Sequence, residues 1–99
     1  MKNLHNHESR NNNIQTLRTL AAQPQGKRMI VKSLVAKLQN KFHVSAAEID
    51  EQDTHQIIVI GVAAIVPHNA MADSLMDEIS EFVETNTEAE IMDEVRDIL

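Results

Sequence analysis

The chain has 99 residues, 42% of them hydrophobic, with no cysteine and only two aromatic residues, Phe42 and Phe82. That supports one domain with an aliphatic core, and it excludes disulfides, thiol nucleophiles, thiolate metal sites and an aromatic platform for stacking bases. The net charge of −6 hides an asymmetry, with eight Lys or Arg and one acid in residues 1–47 against fourteen acids and one Arg in residues 48–99. An acidic total argues against bulk affinity for nucleic acid. It leaves open a local basic face, beside the simpler reading that a positive element packs next to a negative one.

Residues 1–13 are polar, with an Asn11-Asn12-Asn13 run and no periodicity, and are read as a disordered leader. Residues 14–99 are read as a single domain. His5 and His7 on such a leader do not make a specific metal site on their own. The leader lacks the apolar region of a signal peptide. The longest apolar run, Ile57 to Val66, is too short to span a bilayer as a helix. The expected setting is the cytoplasm, with no membrane.

In Ile14 to Leu20, apolar residues recur every three positions, which fits a helical turn, while Thr16 and Thr19 favour a strand; the strand is preferred. Lys27 to Phe42 is the clearest helix, with Ile30, Leu34, Leu38 and Phe42 as an i, i+4 row widened by Val31 and Val35. Pro24 suits its first turn, and Lys37 and Lys41 suit its negative end. Val44 to Asp50 reads as a strand of small residues, and Glu51 to His55 as a turn. Ile57 to Val66 reads as a central strand or one buried on both faces. Gly61 inside it signals a bulge or a close approach.

Pro67-His68-Asn69 breaks the chain, with Asn69 as expected N-cap. Ala70 to Glu84 is the second helix. Its expected buried stripe is Met71, Leu75, Ile79 and Phe82 or Val83, with Ala72 and Met76 alongside. Thr85-Asn86-Thr87 stops it, and Glu90 to Leu99 is the last strand. The order is strand, helix, strand, strand, helix, strand. It predicts an α+β, ferredoxin-like split βαβ fold (βαββαβ), with two helices on one face of an antiparallel sheet.

Lys27-Arg28, Lys32-Ser33-Leu34, the stretch Phe42 to Asp53, Gly61-Val62-Ala63, Phe82-Val83-Glu84 and the closing Ile98-Leu99 together resemble the YlxP-like family. These are small bacterial proteins of unknown function with a ferredoxin-like fold. The resemblance covers about residues 26–99 and is most specific from Phe42 to Asp53. The family's association with genes for transcription and translation factors implies a role near RNA or the ribosome, and it brings no catalytic residues. Two departures stand out. A polar leader and a thin Ile14–Leu20 segment replace the usual opening hydrophobic strand, so the central slot of the sheet is either weakly filled or borrowed from another chain. His55 stands where the family pattern often shows Trp.

Chemistry finds few footholds. Ser9, Ser33, Ser45, Ser74 and Ser80 lack a nucleophile elbow, and two glycines make no phosphate loop. His43 and His68 sit at element ends, facing solvent or a helix dipole. Glu48, Asp50, Asp53 and His55, with Glu51, form the densest polar cluster. Period two puts Glu48 and Asp50 on one strand face, where they form a solvated edge, a partner contact or an oxygen site for Mg²⁺ or Ca²⁺. Lys27, Arg28, Lys32, Lys37 and Lys41 make the first helix basic, either as a solvated face or as phosphate contacts that read shape rather than sequence.

The resulting expectation is a non-enzymatic binding module without cofactor or metal. Its expected partner is RNA or a ribonucleoprotein held by the first helix, with no readout of DNA sequence. The alternative is an assembly module that self-associates through an open strand edge, and a small-ligand or metal sensor is a third reading.

Overall fold

The computed structural model describes residues 9–19, 23–51 and 56–98. The chain runs β1 (Ser9–Arg18), α1 (Pro24–Phe42), β2 (Ser45–Asp50), β3 (Ile57–Val66), α2 (Asn69–Asn86) and β4 (Glu90–Ile98). The sheet is antiparallel, in the order β2-β3-β1-β4. This is the expected ferredoxin-like arrangement.

β1 fills the central slot along its whole length. Ser9 pairs with Val66 and Arg18 with Ile57 on one side, while Asn11 pairs with Ile98 and Arg18 with Glu90 on the other. The strand therefore starts at Ser9, and Ser9 to Asn13, read above as leader, belong to the sheet. No gap is left in the described sheet to be filled by a borrowed strand. The rest of the leader, with His5 and His7, lies outside the described residues.

α1 starts at Pro24, whose missing N–H falls where a helix has no partner for it. It ends at His43, which adopts the left-handed conformation (φ 54°, ψ 45°) and donates its N–H to the Gln39 carbonyl at 3.0 Å. Leu34 and Leu38 are buried, with Ile30, Val31, Val35 and Phe42 packed around them.

α2 takes His68 rather than Asn69 as its N-cap, without a side-chain capping bond. Its buried stripe is Ala72, Met76, Ile79 and Val83: Ile79 and Val83 lie where expected, while Ala72 and Met76 replace Leu75, which is half-buried, and Met71, which is 46% exposed. Thr85 and Asn86 end it by bonding the carbonyls of Glu81 and Phe82.

The core lies between helices and sheet, where Leu17, Ile58, Ile60 and Val62 meet the two helix stripes. The Phe42 and Phe82 rings close the gap between the helices edge to face, with centroids 5.4 Å apart and planes at 88°. Among the described residues no helix lies over the far face of the sheet. β3 is thus buried on one side only: Ile65 is 68% exposed, and Ala63 is exposed as well.

Gly61 marks a close approach. A Cβ there would lie 2.9 Å from Ile49 Cγ2 and 3.0 Å from Cδ1. Ile49 sits at a β2 bulge, where the register shifts between Glu48 and Asp50, and its side chain crosses the glycine. Gly61→Ala is expected to destabilise by about 1 kcal/mol, and the double variant with Ile49→Ala to recover most of it. Urea unfolding of the double-mutant cycle reads the coupling, and purely additive costs would contradict the contact.

Candidate binding surface

The five cations of α1 do not form one stripe. Lys27 lies seven residues before Leu34 and eleven before Leu38, so helical periodicity puts it on the core side. It is 3% exposed. Its ammonium lies 2.8 Å from Glu48 Oε2, as an ion pair rather than an aligned hydrogen bond, and 2.5 Å from the Glu51 carbonyl, to which it donates. Lys27 thus pins the end of β2 to the start of α1 and is not part of an outer basic face.

Arg28, Lys32, Lys37 and Lys41 are exposed. At about 100° per residue, Arg28 and Lys32 share one flank of the helix and Lys37 and Lys41 the opposite flank. Lys41 stands 5.6 Å and 5.7 Å from the Phe42 and Phe82 ring centroids, so its flank borders α2. The ridge between the flanks is neutral: Met29, Ser33, Ala36 and Asn40, all exposed.

Glu48 and Asp50 of the polar cluster do not share a strand face either. The β2 bulge pairs Glu48 with Ile60 and Asp50 with Val59, whose side chains point to opposite faces of the sheet. Glu48 turns inward to Lys27. Asp50 is exposed and accepts the Glu51 N–H at 2.8 Å. Asp53 and His55 lie outside the described residues. Among the described residues no three His, Asp or Glu side chains are grouped as metal ligands. His43 and His68 are both exposed and border a groove of ≈ 510 Å³ between the end of α1 and the start of α2.

Two features escaped the sequence reading. The first is a polar seam beneath α2. Asn11, Asn13 and Gln15 alternate along the inner face of β1 and are at most 1% exposed. Asn13 Nδ2 donates to Glu94 Oε2, the Ser80 hydroxyl donates to the same oxygen at 2.5 Å, and Gln15 Nε2 reaches Ser80 at 3.5 Å. Arg96 completes the seam, with Nε on Glu94 at 3.1 Å, one terminal nitrogen on Asp77 at 2.8 Å and the other on Ser80 at 3.2 Å. Burial alone would raise the Glu94 pKa, but the donors Ser80, Asn13 and Arg96 outweigh it and hold the carboxyl below its ordinary 4.5.

The second is the uncovered sheet face. Its outward residues include Ile14 of β1, Ala47 and Ile49 of β2, Val59, Ala63 and Ile65 of β3, and Val95 of β4. Ile49, Ile65 and Val95 are 48%, 68% and 51% exposed. Ala47, Gly61 and Ala63 are small and floor a hollow of ≈ 370 Å³ walled by Ile14 and Ile49. The signal for this face was the unbroken apolar run of Ile57 to Val66 itself. A strand with one wet face ordinarily alternates with polar residues.

Two helices on one side of a four-stranded antiparallel sheet define a ferredoxin-like α+β protein. The chain belongs to the family described as "Protein of unknown function (DUF503)", which matches residues 16–96. It is also similar to the "Uncharacterized protein YlxP" of Bacillus subtilis (strain 168), 33% identical over 64 residues that cover 65% of this chain and 70% of that protein. The family expected from the Phe42–Asp53 stretch is the family found.

Two measurements test the inner contacts. Lys27→Ala leaves Glu48 half-buried without its cation and is expected to cost about 2–3 kcal/mol, whereas exposed Lys32→Ala stays within about 0.5 kcal/mol. Guanidinium titrations that gave equal losses would refute the anchoring role. For Glu94, a depressed pKa means its contribution is present above pH 4.5 and fades as pH falls through the folded value. The stability gap between wild type and Glu94→Gln is therefore expected to shrink on acidification below this ordinary value, as read by urea unfolding across pH; a constant gap would count against it.

Proposed function

We propose that this protein is a non-catalytic interaction module whose working surface is the uncovered face of the sheet. One observation carries the reading: the outward row of β3 is apolar like its inward row, although among the described residues no helix covers it. Ile49, Ile65 and Val95 stay about half exposed or more in the monomer, and an exposed apolar patch of this kind marks a protein contact. The cytoplasm is its proposed setting. Among the described residues no helix is long and apolar enough to cross a membrane.

RNA or a ribonucleoprotein held by α1 is the second reading. Four exposed cations, Arg28, Lys32, Lys37 and Lys41, support it, together with the role near RNA that the family resemblance implies. Their division between two flanks weakens it, because phosphate contacts gain from clustering.

Affinity capture from cell extract, with and without ribonuclease, separates the two. The expected result is capture of protein that resists ribonuclease, is lost in Ile65→Glu and survives replacement of Arg28, Lys32, Lys37 and Lys41 by Ala. Capture that ribonuclease abolishes, and that fails with the α1 replacements instead, would overturn the proposal in favour of RNA.

A further inference from the structure

We infer that the uncovered face receives an amphipathic α-helix of another protein, one with an apolar stripe and with lysine or arginine along one flank. This rests on the reading of that face as an interface and names the shape and charge of its occupant.

The apolar surface is a strip. By register the outward positions of β3 are Ile57, Val59, Gly61, Ala63 and Ile65, and the Ile49 side chain lies across Gly61, so the strip runs unbroken along the strand. Beside it the sheet is polar at most heights. Asn12 and Ser45 flank Ala63, and Thr16 and Asp50 flank Val59. Among the described residues one row, Val95, Ile14, Gly61 and Ala47, is free of polar side chains across all four strands. A second sheet needs a wide apolar face to cover, whereas a helix buries a single stripe. A strip one strand wide, crossed by one apolar row, fits a helix lying along β3. Strand addition does not apply at β3, which is already paired on both sides by β1 and β2.

Charge sets the second property. By register the outward positions hold the acids Asp50, Glu90, Asp93 and Asp97 against the bases Arg10 and Arg18. Arg18 stands opposite Glu90. Arg96, between Asp93 and Asp97 in the chain, turns to the helix side to bond Glu94 and Asp77. Asp93 and Asp97 are exposed on β4, two strand spacings or about 10 Å from β3. A long cationic side chain from a helix seated over the strip covers that distance. The same margin repels phosphate, which argues against nucleic acid or anionic lipid on this face.

The lengths agree. From Ile57 to Ile65 the strip runs about 27 Å, which a helix spans in about 18 residues. Asp93 and Asp97 are about 14 Å apart along β4. Helix positions i and i+7, or i and i+11, return to one flank at separations of about 10 and 16 Å and bracket that distance, whereas i and i+4, at about 6 Å, fall short.

The test uses the full chain and two synthetic helical peptides of about 18 residues. Both carry the same leucine stripe; one has lysine and the other glutamate at flank positions i and i+7. A single tryptophan in each peptide reports binding by its fluorescence, since the protein has none. The lysine peptide is expected to bind at low salt, about tenfold or more tightly than the glutamate peptide. Asp93→Asn with Asp97→Asn is expected to weaken it about five- to tenfold. Ile65→Gln with Val95→Gln is expected to weaken it further, with unchanged circular dichroism. Glu81→Gln with Glu84→Gln, on exposed acids of α2, is expected to leave it unchanged.

Equal binding of the two peptides, indifference to the Asp93 and Asp97 pair, or loss with the α2 pair in place of the face variants would overturn this inference. Failure of both peptides to bind would overturn it too. If ribonuclease-resistant capture that depends on Ile65 persisted in that case, the face would stand as an interface for a partner of another shape or charge. Loss of that capture as well would remove the interface reading itself.

Discussion

The structure depends on how a polar strand is held at the centre of its sheet. β1 is hydrogen-bonded on both sides by β3 and β4, and its inner side chains face the helices. A central strand in that position is ordinarily apolar inside. Here the inner row runs Asn11, Asn13 and Gln15 before reaching Leu17. Burying amides without partners costs about 1–3 kcal/mol per group, so the elements around β1 must supply polar atoms. Ser80 of α2 and Glu94 of β4 do so, and Arg96 and Asp77 extend the chain of contacts to the surface. Asn13 Oδ1 and Gln15 Oε1 find no donor among the described residues, so the seam retains part of that cost.

The same seam fixes register. A slip of one residue would turn Asn12, Ile14 and Thr16 inward and send Asn11, Asn13 and Gln15 to the open face. An all-apolar strand between two partners would tolerate neighbouring alignments more easily. The Asn13 and Ser80 bonds to Glu94 form in one alignment only. They link β1 to both β4 and α2, joining the sheet edge to the helix above it. The interior is thus divided: Leu34 and Leu38 of α1 pack on an apolar layer, whereas α2 spans an apolar side towards β3 and a hydrogen-bonded side towards β4. The charge asymmetry of the sequence is partly resolved inside this frame. Lys27 of the basic half is neutralised by Glu48 of the acidic half.

What the sequence made legible follows from this division. The helices and β3 were readable because their burial follows simple periods in apolar residues. The α1 stripe, the strand from Ile57 to Val66 and the break at Pro67 appear where periodicity places them. β1 was only half legible. Its period-two signal is carried by amides, and Asn11-Asn12-Asn13 reads as a leader unless the strand's partners are known. Lys27 was misplaced because charge was given priority over position, although its spacing from Leu34 and Leu38 sets it on the core side. The pairing of Glu48 with Asp50 on one face failed at Ile49, since the bulge beside Gly61 separates them. A bulge depends on two strands at once, and no single segment announces it.

The edges of the sheet bear on where a partner can attach. β2 is short and carries the bulge at Ile49. β4 shifts register between the partners of Thr16 and Leu17, and its residues Asp93, Glu94, Arg96 and Asp97 are charged. Bulges and charges are how sheets prevent strand addition at their margins, and β1, whose absence would have opened an edge, is in place. The faces differ from one another in the opposite sense. One is covered by two helices, and among the described residues the other presents isoleucine, valine and alanine with Asn12, Thr16, Asp93 and Asp97 beside them. The charge that guards the β4 edge therefore also interrupts the apolar residues of the outward face, which gather around Ile14, Ala47, Ile49, Ala63, Ile65 and Val95.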